Sequence, residues 1–149
     1  MELRTDKIRA CFDRKIGNFT ELWNLSTNTN YVRCAPRDPL IELYGLKNGE
    51  RVKLSGHISD VAEAPDALIL SYDSFGEYDI SAKVTCRCER DRLVFSAEIC
   101  NHSTIDVTEI LMPHLGGIYL GNGQKDYLIY PHHAGDKTED PVYNYAENR

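Results

Sequence analysis

The sequence predicts an all-β fold, a two-sheet antiparallel β-sandwich with few or no helices. Three observations point there. Apolar residues recur at every second position in most segments, turn residues break the chain at close spacing, and no long stretch holds a 3.6-residue period. With 149 residues, 42% of them hydrophobic and 27% charged, the chain suits one domain over residues 1–149. Such a domain can build a core without metal or disulfide staples.

Strands are expected first at Lys7–Asp13 and Phe19–Asn24. Leu40–Leu46 and Val52–Ser59 flank Lys47-Asn48-Gly49-Glu50, and Ala67–Tyr72 runs into Asp73-Ser74-Phe75-Gly76; both tetrapeptides carry turn chemistry. The cleanest alternation passes through Ser81–Glu89. There Ile80, Ala82, Val84, Cys86 and Cys88 alternate with polar side chains, which predicts one buried and one wet face. A polar turn at Arg90 and Asp91 leads to a strand with Leu93, Phe95, Ala97 and Ile99 on one face, closing a long hairpin. Ile105–Met112, Gly117–Leu120 and Tyr127–Tyr130 complete the set, and Pro113 signals a bulge or an edge position. Trp23, between Leu22 and Leu25, reads as a core anchor rather than a sugar platform.

Seventeen basic and 23 acidic side chains leave a net charge of −6. That balance argues against nucleic-acid binding, which needs a clustered basic surface. Arg87, Arg90 and Arg92 are interleaved with Glu89 and Asp91. No apolar run approaches the roughly 20 residues that cross a bilayer, so no membrane partner is expected. Five cysteines (Cys11, Cys34, Cys86, Cys88 and Cys100) without a signal peptide predict reduced, buried thiols and a cytoplasmic setting. Cys86 and Cys88 lack the second close pair that a zinc site wants. The N-x-[ST] triplets at Asn18, Asn24 and Asn101 read as turn chemistry.

Three stretches carry a resemblance. Ile8–Tyr31 (IRACFDRKIGNFTELWNLSTNTNY) resembles the opening hairpin of galactose-mutarotase-like supersandwich domains, a strand, a turn with Gly and a second strand ending in an Asn-rich segment. Leu93–Ser103 (LVFSAEICNHS) is similar to their long strand finishing in an Asn-x-Ser turn, and Glu109–Gly117 (EILMPHLGG) to the strand that follows. Such domains commonly stand N-terminal to the catalytic barrel of glycoside hydrolases. The resemblance therefore implies the N-terminal, non-catalytic sandwich of a longer glycosidase-like protein, with a C-terminal catalytic domain as its partner. A full supersandwich is usually longer, so some strands would be missing or shortened.

Ile110–Val142 holds the conspicuous polar groups, and Tyr130, His132, His133 and Asp136 are the candidate ligand-binding residues. Aromatic faces suit the C–H side of a sugar, while imidazole and carboxylate suit its hydroxyls. Glycoside hydrolysis needs two carboxyls with one pKa raised by burial. Asp136, Glu139 and Asp140 are expected in a polar loop without that burial, so no catalytic residue is assigned. None of the five histidines lies in a mutarotase-like catalytic segment. His114, His132 and His133 do not converge as zinc ligands, and neither metal nor cofactor is expected. The alternative reading is an independent carbohydrate-binding or protein-interaction module. An apolar patch left by a lost companion domain would drive homodimerisation of the isolated domain.

Overall fold

The structure is a computed structural model. It describes residues 1–118 and, as backbone, the strands 127–130 and 136–139. The chain divides into two compact units, Met1–Ile118 and Tyr119–Arg149. Eleven strands build the first: Glu2–Arg4 (β1), Ile8–Phe12 (β2), Phe19–Asn24 (β3), Thr29–Asn30 (β4), Glu42–Lys47 (β5), Glu50–Leu54 (β6), Asp60–Ala64 (β7), Ala67–Tyr72 (β8), Ile80–Glu89 (β9), Arg92–Asn101 (β10) and Asp106–Leu111 (β11). In the second, Tyr127–Tyr130 (β12) pairs antiparallel with Asp136–Glu139 (β13). All pairings are antiparallel, and the described residues contain no helix. The predicted all-β, sandwich-like class is what the molecule adopts.

Within the first unit the strands form two four-stranded sheets, β1-β2-β3-β4 and β10-β9-β8-β7, and a three-stranded sheet, β11-β5-β6. One hydrophobic core joins them. Leu3, Ala10, Phe12 and Phe19 from the first sheet pack with Leu68, Leu70, Val84 and Cys86 from the second, and Leu43 and Leu54 from the third, with Ile105 just ahead of β11, close it. Phe12 and Phe19 tilt together at 4.8 Å, and Phe19 meets Phe95 edge-on at 6.1 Å across the layers. These separations and angles are those that aromatic quadrupoles favour.

The alternation through Ser81–Glu89 becomes β9, whose Ile80, Ala82, Val84 and Cys86 are buried between half-buried or exposed neighbours. Its ten residues pair in unbroken register with β10, from Arg92 opposite Glu89 to Asn101 opposite Ile80. Arg90 takes the left-handed conformation in the turn, φ 56°. Between β5 and β6, Asn48 and Gly49 have φ of 55° and 83°, the signs a type I′ hairpin requires. Two of the three Asn-x-Ser/Thr triplets shape turns, and the third ties distant segments together. Asn24 Oδ1 accepts from Ser26 and Thr27, and Asn101 Oδ1 from Ser103. Asn18 is wholly buried, its Nδ2 donating to the Asp38 and His114 carbonyls and its Oδ1 accepting from Phe19 N–H.

Several expectations need correction. Val52–Ser59 is not one strand: β6 ends at Leu54, Gly56 bridges to Phe75, and β7 starts at Asp60. A Cβ on Gly56 would lie 2.6 Å from the Phe75 ring, so the chain turns there around an aromatic side chain. Leu40, expected to begin β5, is buried ahead of it, its N–H bonded to Ile16 O and its C=O to His114 N–H. Pro113 follows β11, an edge strand, while the bulge sits earlier, between Val107 and Glu109. The short, charged β1 and two-residue β4 are too brief to carry a period and are defined by their pairing alone. Trp23 is half-exposed, not core, because it shares the outer face of β3 with Glu21 and opposes Arg9. Its indole N–H donates to Glu21 Oε2 at 2.8 Å. The five thiols are free, but only Cys86 is buried; Cys34 and Cys100 are exposed.

Candidate functional site

Of the four residues singled out by the sequence, the structure places two. Tyr130 ends β12 and Asp136 begins β13, and they are Cα partners across the ladder. Asp136 and Glu139 therefore belong to a strand rather than a loop. Asp-Lys-Thr-Glu has no apolar alternation to announce it, and backbone pairing with β12 alone defines it. His132, His133 and Asp140 lie outside the described residues, as do Tyr119 and Leu120 of the expected Gly117–Leu120 strand. Among the described residues no three His, Cys, Asp or Glu side chains are grouped to hold a metal.

Two other features of the first unit can do chemistry. The first is an apolar cleft of about 470 Å³ where the two four-stranded sheets part. Ile8, Leu22 and Tyr31 line it from the first sheet side, Leu93 and Phe95 from β10, and the exposed Leu115 from the chain after β11. Sheet periodicity explains it. Leu22 opposes Ala10 on the inward face of β3, and Leu93 and Phe95 oppose Cys88 and Cys86 on the inward face of β10. Strand β10 is an edge, however, and its inward side chains stay only half-buried. Lys7 and Asp91 stand 3.8 Å apart at the rim, both more than half exposed, so their attraction is weakly stabilising.

The second feature is polar. Glu42 is 3% exposed, at the start of β5 in an otherwise apolar run, Leu40-Ile41-Glu42-Leu43. Its carboxylate accepts from Lys53 Nζ of the neighbouring β6 and, at 3.0 Å, from Tyr44 Oη. His114 Nδ1 lies 3.4 Å away and makes no hydrogen bond. Burial works to raise the Glu42 pKa, but Lys53 and Tyr44 together outweigh it and hold the carboxyl below its ordinary value. Lys53 is raised in turn by Glu42. Nearby, Arg51 spans β6 to β11, its guanidinium 2.8 Å from Glu109 and 3.6 Å above the Tyr44 ring.

Glu42 and Lys53 border a pocket of about 230 Å³. Tyr72 lines it too, 2% exposed, with its hydroxyl buried and unbonded. Exposed Lys15, Arg37, Ser55 and His57 and the half-buried Asp38 complete the polar lining. Neither Glu42 nor Tyr72 was singled out from the sequence. The available signal was a carboxylate inside a run of apolar strand residues, where a lone charge is costly unless paired. Comparison of the chain with family models, curated proteins and solved structures gave no match.

Proposed function

We propose that this chain is a non-catalytic β-sandwich module of a glycoside-hydrolase-like protein, and that it docks on a companion catalytic domain through the apolar cleft. The observation that carries the reading is the cleft itself. Leu93 and Phe95 on the edge strand β10, with Leu115 from the chain after β11, keep apolar surface where the sandwich could have closed. Apolar surface of this kind gains about 25 cal/mol per Å² on burial against a partner. The resemblance of Ile8–Tyr31, Leu93–Ser103 and Glu109–Gly117 to supersandwich domains supports a catalytic barrel as that partner.

The test is binding between this chain and the domain encoded downstream of it. A one-to-one complex is expected, and Leu115→Asp, at a position 40% exposed, should weaken it about tenfold. The chain alone should leave aryl glycosides unhydrolysed while the complex turns them over. A reading frame ending at Arg149, hydrolysis by the chain alone, or a complex indifferent to both Leu115→Asp and Leu93→Asp would each reject the proposal.

A further inference from the structure

The pocket beside Glu42 is separate in chemistry from the apolar cleft and does not depend on the docking reading. Its lining carries three cations, Lys15, Arg37 and Lys53, against two carboxylates, Asp38 and Glu42. Counting these five side chains alone leaves one net positive charge, in a chain whose total is −6. The charges are also unequal in availability. Glu42 is already engaged by Lys53 and Tyr44, so its charge is offset where it stands. Lys15 and Arg37 make no ion pair among the described residues, and both are exposed at the rim. From the buried side comes Tyr72. Its hydroxyl has no hydrogen-bond partner, an arrangement that costs free energy unless something accepts from it. Burial pushes its pKa up to about 12, so it remains a donor at any ordinary pH.

We propose that this pocket binds a small molecule through a single oxyanion, a carboxylate or a phosphate, held by Arg37 and Lys15 and by the Tyr72 hydroxyl. The volume of about 230 Å³ lies below that of drug-sized ligand sites, so the ligand is of monosaccharide size at most. Arg37 supplies a planar fork matched to either anion, and Lys15 a point charge. The hydroxyl adds a neutral donor that an uncharged ligand could share, which makes the two cations the discriminating contacts.

Titration of the full chain at low ionic strength with inorganic phosphate, glucuronate and glucose tests this. Saturable binding of phosphate or glucuronate is expected, at least tenfold tighter than glucose and weakening as salt rises. Whichever anion binds identifies the source of the oxyanion. Arg37→Ala, an exposed change that should leave the fold intact, should weaken binding at least tenfold. Tyr72→Phe keeps the ring stacked on Phe75 and should weaken it about fivefold. Glucose binding as tightly as glucuronate would overturn the oxyanion assignment. So would no saturable binding of either anion, or anion binding unchanged in Arg37→Ala.

Discussion

Glu42 shows how much one side chain can depend on its neighbours. A carboxylate this buried is tolerable only while Lys53 and Tyr44 hold it. Its folded pKa lies below the ordinary 4.5, so its contribution to stability is fully present above that value and is lost as pH falls through the folded pKa. Glu42→Gln should therefore cost about 1–2 kcal/mol at pH 7, a figure discounted for the half-exposed Lys53. The gap between wild type and variant should shrink as the medium is taken below pH 4.5. Urea unfolding at pH 7, 5, 4 and 3 measures it, and a gap of constant size would count against this account. At this scale the sequence was only partly legible. Cys86 sits inside as its alternation implies, with burial pushing its pKa up to about 12, and the same alternation puts Cys100, next to Ile99, on the other face of β10, where it is exposed. His114, weighed as a metal ligand, lies beside Glu42, a residue far from it in sequence that no local pattern could supply.

Among the elements, hairpins were the most legible, because their turns and their alternation agree. The β5–β6 turn was visible as Asn-Gly, and β9–β10 as two matched faces around a polar turn. Elements held by distant partners were not: β1, β4 and β13 are short and carry no period, so only their pairing reveals them. Two glycines separate the physical effects that a turn places on sequence. Gly49 has φ 83° with nothing within 4 Å of an added Cβ, whereas Gly17 has φ 72° and would place a Cβ 2.5 Å from Leu70 Cδ1. Gly49→Ala should therefore cost only the conformational term, about 1 kcal/mol. Gly17→Ala adds a clash with the core and should cost about 2–3 kcal/mol. Thermal or urea unfolding of both variants compares them; equal losses would mean that the packing around Gly17 yields freely.

For the first unit as a whole, the class was legible from periodicity, while the division into three sheets was not, because nothing local specifies which hairpin neighbours which. The third sheet depends on β11 returning to β5, and Arg51 reaches Glu109 across 58 positions of chain. A chain ended after Asn101 should lose the β5 edge pairing and the buried Ile105 together. It should show reduced cooperativity and bind a hydrophobic dye, whereas retention of a sharp, two-state unfolding transition would show that β11 is dispensable. Asn18 sets a schedule as well as a contact. Its amide waits for the carbonyl of His114, 96 positions later, and at about 5–20 residues per second of synthesis that wait lasts on the order of 5–20 s. Throughout it the nascent sandwich keeps an unmatched strand edge and an unfinished interior on the ribosome. Yield in a cell should then track translation speed and chaperone supply more closely than the equilibrium stability of the finished molecule.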